Sequence, residues 1–313
     1  MLGALRRGFD GLGSNWGLVV VVFVVNATLA LLLALPLAAQ LKSTLAHTGA
    51  SASMMYGFDY GSWAHWHEGR DGFAASFTPA VFGIGFAFSN MDLLLSGFVG
   101  RLSPLLLGLG VLYLVVQNFL TGGMLGVFRA PQGGWTLRGL LHGSGFYFGR
   151  LMRVSLLAVG LVAIVFGANA PLARWVDGLA REAVSEQTAL ALLIGRQVLL
   201  LLAILFVHMV ASFSRVIVVR EERQSAVLAF VSGLGFCRRN LAAVTGQYLV
   251  VLLLALGLLG MWAWVDGRLL VLGWKSQLVA FAFFQVFLLL RIALRLGLLA
   301  SQVELHREPR GRG

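Results

Sequence analysis

Apolar positions along this chain do not alternate with polar ones at the short periods of a soluble helix or strand. They run nearly unbroken six times, over residues 17 to 39, 104 to 128, 151 to 173, 189 to 219, 241 to 265 and 276 to 300. A helix rising 1.5 Å per residue needs roughly 20 apolar residues to cross about 30 Å of hydrocarbon, and each run exceeds that. The pattern predicts an all-α polytopic bundle of six transmembrane helices in one integral membrane domain covering 1 to 313. Between spans the period changes. Val227, Phe230, Val231 and Leu234 fall at helical spacing ahead of the fifth span, as do Leu137, Leu140, Leu141 and Phe148 ahead of the third, predicting amphipathic helices in the membrane interface.

These two segments resemble each other. Ser144-Gly145-Phe146-Tyr147-Phe148-Gly149-Arg150 matches Ser232-Gly233-Leu234-Gly235-Phe236-Cys237-Arg238 at four of seven positions. The stretch Leu5 to Trp16, with Arg6, Arg7, Gly8, Phe9 and Trp16, reads as a degenerate third copy. The implied plan is three units, each an amphipathic helix followed by an outward and an inward span.

Residues 40 to 103 form the one large segment outside the spans. Tyr56, Phe58, Tyr60, Trp63 and Trp66 crowd its first part, and such rings favour the headgroup zone, so this loop is expected to lie on the membrane. The stretch 79 to 99 is apolar but interrupted by Ser89, Asn90 and Asp92. Counting it as a span would invert everything downstream, so it reads as an interfacial or re-entrant helix.

Composition strengthens the membrane reading: 58% hydrophobic and 12% charged residues would leave a soluble chain of 313 residues unable to cover its surface with polar groups. The net charge of +11 would suggest nucleic acid in a soluble protein, but here the basic residues flank apolar spans, so no nucleic-acid partner is expected. With a cytoplasmic N-terminus, 16 of the 24 basic residues fall on the inner side with five acids, and the outer side is neutral. That asymmetry predicts both termini inside. The first span, ending at Pro36-Leu37-Ala38-Ala39, is too long for a signal-peptide core and is expected to remain as an anchor. Cys237, the single cysteine, excludes an internal disulfide and a CxxC redox pair.

Chemistry is sparse. His65, His67, Glu68 and Asp71, with Asp59 upstream, could hold a divalent metal in the outer loop, although the spacing lacks the histidine pair of helical zinc sites and a solvated loop explains it more simply. No other cofactor is expected. Asn26, Gln117, Asn118, His208, Gln247 and Gln285 fall within spans, where amides most often bond helix to helix and could alternatively line a polar path. No Asp or Glu falls within the six runs, which argues against an ion-coupled pump. Arg196 and Arg215 bracket the fourth span, and Arg215, Arg238, Arg239, Arg291 and Arg295 are expected to reach phosphates of the inner leaflet. The signatures GxxxxGK[ST], GxSxG and HExxH are missing from the sequence.

Ser76-Phe77-Thr78-Pro79, Asn90-Met91-Asp92, Thr121-Gly122-Gly123-Met124-Leu125 and the run Ser214 to Ala226, in that order, resemble a group of uncharacterised bacterial six-helix inner-membrane proteins. The chain is also weakly similar to membrane domains joined to glycerophosphodiester phosphodiesterases, without their catalytic domain. The resemblance implies the fold and a bacterial inner-membrane location and transfers no activity. The expected function is a non-enzymatic transport-associated subunit or scaffold engaging membrane lipids, a hydrophobic solute or a membrane or cytoplasmic partner protein. The alternatives are a membrane enzyme acting on a lipid-linked substrate at the outer face and a permease served by a separate ATPase, although Glu222-Arg223-Gln224 is not the usual docking sequence of importer permeases.

Overall fold

The structure is a computed structural model that describes residues 1–45, 59–68, 104–129, 134–268 and 274–307. Every element among these residues is an α-helix: α1 Leu2–Gly13, α2 Gly17–Leu45, α3 Tyr60–His67, α4 Pro104–Arg129, α5 Leu137–Glu182, α6 Glu186–Arg220, α7 Ala226–Arg239, α8 Leu241–Asp266 and α9 Trp274–Arg307. Side-chain oxygens begin several of them. Thr136 accepts from the Gly139 amide, Ser185 from Thr188 and Ser225 from Leu228, each satisfying one of the amides that a helix start leaves without an intrahelical partner. Six helices (α2, α4, α5, α6, α8 and α9) are long and apolar enough to cross a membrane. The predicted helix at 79 to 99 lies outside the described residues.

The three predicted amphipathic segments are not alike in form. α1 and α7 are separate helices, but residues 137 to 150 continue without a break into the third span, making α5 46 residues long. The difference is local. Asn15 and Asn240 follow α1 and α7, and each turns its Nδ2 back to the carbonyl four residues earlier, Gly11 at 2.8 Å and Phe236 at 3.0 Å. Asn118 makes the same bond inside α4 without interrupting it, so the asparagine marks the junction but does not by itself break a helix. At the corresponding place α5 has the buried Leu151, which offers no such bond.

Each amphipathic segment docks through small residues on a helix that runs toward the end where the segments lie. Gly123 of α4 meets Leu140 and Ser144 of α5, Gly233 of α7 meets Ser214 of α6, and Gly8 of α1 meets Ser301 of α9. In every case a β-carbon on the glycine would overlap its neighbour, so the backbones approach as closely as small residues allow. The third contact joins the first helix to the last. The arrangement is therefore cyclic, with α1 standing to α9 as α7 stands to α6, and α1 lies at the same end as the last turns of α9.

The core gathers at that same end. Leu18, Val19, Met124, Leu125, Leu140, Leu151, Val154, Ile217, Leu296 and Ala300 are buried together. Toward the opposite end, residues such as Leu35, Val111, Ile164, Leu202, Leu253 and Phe281 are exposed along their helices. Exposed side chains this apolar match a hydrocarbon solvent.

Candidate functional site: an arginine ring and an adjoining cleft

Three arginines end the three helices on which the amphipathic segments dock: Arg129 on α4, Arg220 on α6 and Arg307 on α9. Each reaches the end of the next helix around the bundle. Arg129 Nη1 donates to the Val219 carbonyl of α6 at 3.1 Å, Arg220 Nη1 meets His306 Nδ1 of α9 at 2.9 Å, and Arg307 Nη2 donates to the Phe128 carbonyl of α4 at 3.2 Å and to that of Arg129. The partner is always the residue just before the next arginine, or includes it. The C-terminal carbonyls of a helix lack intrahelical donors and carry the negative end of its dipole, which is where a guanidinium is most favourable.

Acidic groups lie among these cations. Glu222 accepts from Arg129 at 2.6 Å, Arg7 lies 3.5 Å from Glu304, and Glu304 also accepts from Arg307 at 2.5 Å. Glu222 has φ 51°, the left-handed region that costs a non-glycine residue on the order of 1 kcal/mol or more. Its carboxylate bond to Arg129 and the Arg150 bond to its carbonyl at 3.4 Å hold it there.

Beside the ring lies a cleft of about 270 Å³ between α1, α4 and α9, lined by Arg7, Gly8, Gly11, Asn15, Phe128, Ala300, Glu304 and Arg307. Asn15 is 1% exposed, and its Oδ1 has no hydrogen-bond partner.

The intramembrane amides are held in separate places. Gln117 donates to Asn26 Oδ1 at 2.7 Å, joining α4 to α2, and Gln247 donates to the Ser301 carbonyl at 3.1 Å, joining α8 to α9. Ser155 links Asn118 on α4 to Arg215 on α6, whose Nη2 donates to it at 3.0 Å. His208 is exposed and meets Tyr248 edge-on at 6.0 Å between ring centres, and Gln285 is half-buried on α9. Arg215 thus turns between helices, whereas Arg238, Arg239, Arg291 and Arg295 are exposed, with Arg295 3.4 Å from the Tyr113 hydroxyl. Arg196 lies 3.4 Å from Asp177 across the α5–α6 hairpin. Cys237 is buried, and burial pushes its thiol up to about 12, keeping it neutral.

Of the proposed metal ligands, His65 and His67 lie in α3, Glu68 follows it, and Asp71 lies outside the described residues. Two positions apart on a helix, His65 and His67 diverge: His65 is exposed and His67 stacks on Trp63 at 4.8 Å. Asp59 caps the helix, accepting from the Ser62 amide. Among the described residues no three His, Cys, Asp or Glu side chains gather as a metal would require.

Sequence reasoning did not find Arg129, Arg220 and Arg307 as a set, nor Gly11 and Asn15. A signal was present, because Gly123, Ser214 and Ser301 stand in one register before the three arginines. No protein-family model, curated protein or solved structure matches this chain. What the fold defines is a class: a polytopic α-helical membrane protein, built on six apolar helices locked at one end.

Proposed function

We propose that the chain is a non-enzymatic scaffold of a bacterial inner membrane, with both termini cytoplasmic, that gathers lipid and a partner protein at its inner face as a transport-associated subunit. The observation that carries this is the pairing of exposed apolar and basic side chains on the docked amphipathic segments. Leu137, Leu141, Phe146, Val227, Leu228, Val231 and Leu234 are exposed there, beside exposed Arg138, Arg153, Arg238 and Arg239. Apolar side chains flanked by guanidinium groups suit the boundary between acyl chains and anionic headgroups.

Cation spacing supports the depth. Arg153 to Arg174 on α5 and Lys275 to Arg295 on α9 each cover roughly 30–32 Å along the helix, close to the hydrocarbon thickness. The arginine ring then falls on the headgroup side of the inner boundary. The intramembrane amides support a static role, since the bonds of Gln117 to Asn26 and of Gln247 to Ser301 tie helices together.

The test is affinity capture of the tagged full chain from native membranes in a mild detergent, followed by native mass spectrometry. The expected result is a species carrying phospholipid, with one membrane or cytoplasmic protein enriched. A bare monomer, free of lipid and of any companion, would overturn the proposal.

A further inference from the structure

The cleft at the arginine end is where one unit of the cyclic arrangement lacks a side chain that the other two possess. Matching the docked contacts, with Gly8 on Ser301, Ser144 on Gly123 and Gly233 on Ser214, sets Gly11 in register with Tyr147 and Phe236. Tyr147 fills its place. It is buried, packs on Gly122 and has its hydroxyl 3.2 Å from Arg129. Phe236 does likewise, its ring centre 4.9 Å from that of Phe213 and 5.2 Å from that of His306. The residues that would surround an aromatic ring at Gly11 are their counterparts: Ala300 for Gly122 and Phe213, Arg307 for Arg129, and Phe128 for His306. These line the cleft. A β-carbon on Gly11 would meet nothing within 4 Å.

This space is not simply an apolar void. Among the described residues, Arg7 and Arg307 lie on its wall with one carboxylate, Glu304, so the guanidinium groups there outnumber the acid. The Asn15 amide presents a buried acceptor without a donor, and a buried acceptor left so costs about 1–3 kcal/mol. An occupant that satisfies both needs offers an anion to the guanidinium groups and a hydroxyl or similar donor to Asn15 Oδ1. About 270 Å³ is near the lower limit of small-molecule sites, large enough for a headgroup and too small for a folded peptide. α2 begins at Gly17, two positions after Asn15, so the cleft adjoins the point where the chain enters its apolar span.

We infer that this cleft binds a phosphate ester carrying a free hydroxyl, of which the phosphoglycerol headgroup of an anionic membrane lipid is the lipid form and glycerol phosphate the soluble form. The phosphate lies against Arg7 and Arg307, and the hydroxyl donates to Asn15. The inference deepens the lipid-gathering reading above and rests on it for the lipid form.

The test uses the full chain in detergent, titrated separately with phosphatidylglycerol, phosphatidic acid, phosphatidylethanolamine and glycerol phosphate, with binding counted by native mass spectrometry. One site should prefer phosphatidylglycerol to phosphatidic acid and to phosphatidylethanolamine by about tenfold, a preference of the size that satisfying one buried acceptor gives. Saturation by glycerol phosphate instead assigns the site to the soluble form. Gly11→Phe, which supplies the ring present in the other two units, should abolish that site while leaving the thermal unfolding temperature unchanged or higher. Arg7→Gln should weaken phosphatidylglycerol and phosphatidic acid alike, and Asn15→Ala should erase the preference between them. Equal retention of all three lipids with no glycerol phosphate bound, or binding indifferent to a folded Gly11→Phe variant, would overturn the inference. Lipids retained without preference would leave the scaffold reading standing; a bare protein would remove it as well.

Discussion

At the scale of single residues, the arginines that end α4, α6 and α9 act on backbone as much as on charge. Arg307 serves the Phe128 and Arg129 carbonyls and Glu304 together, so Arg307→Ala leaves the end of α4 without its donors. The expected cost is about 2–3 kcal/mol, seen as a drop of several degrees in the thermal unfolding of the detergent-solubilised protein. Arg220→Ala should cost less, because its partner across the ring is a histidine side chain. Equal and negligible shifts in both variants would show that the ring contributes nothing. The arginines themselves were plain in the sequence as cations ending apolar runs. Their partners were not, since a carbonyl oxygen has no residue-type signature. Arg215 teaches the same point. Its position suggests a cation rising to the interface, but Ser155 on the neighbouring helix draws it between α5 and α6. His65 and His67 look like a pair when written out and diverge once helix α3 forms.

At the scale of elements, close approach through glycine decides which helices dock. Gly123 and Gly126 lie one turn apart on α4, but a β-carbon at Gly123 would overlap the Leu140 carbonyl, whereas at Gly126 it would meet nothing within 4 Å. Gly123→Val should therefore separate α4 from the start of α5 and destabilise the fold by more than about 2 kcal/mol, while Gly126→Ala should be neutral or slightly stabilising through helix propensity. Unfolding temperatures measured side by side distinguish them, and similar values would refute the docking role. Apolar run lengths were sufficient to show that the chain holds six long apolar helices. Run length could not reveal that the segment before the third span continues it as one helix, because it registers only unbroken apolar stretches; Leu151 stands there where α1 and α7 are followed by asparagine.

At the scale of the whole molecule, α1 and α9 pack against each other, so α1 and the Arg307 end of α9 belong to one end, with the α5–α6 turn at Ala183–Ser185 at the other. Reporter fusions at residue 1 and after residue 307 should fall in the same compartment, with an insertion at Val184 in the opposite one. An insertion at Val184 sharing the termini's compartment would contradict the fold. Val184 is fully exposed at the turn, so the insertion should be tolerated. The surplus of basic residues at the termini predicts that this shared compartment is the cytoplasm.

The sequence alone determined that this protein is all-α and built from six bilayer-length helices, because in a hydrocarbon solvent each span must satisfy its own backbone bonds and declare itself by run length and apolar composition. It also displayed two of the amphipathic segments and hinted at the third. Only the tertiary structure decided that α1 closes a ring with α9, that three arginines interlock helix ends, and that Gly11 leaves open a space filled by Tyr147 and Phe236 elsewhere. These outcomes depend on which residues meet across helices far apart in the chain, and a missing side chain becomes a cleft only when its neighbours are in place around it.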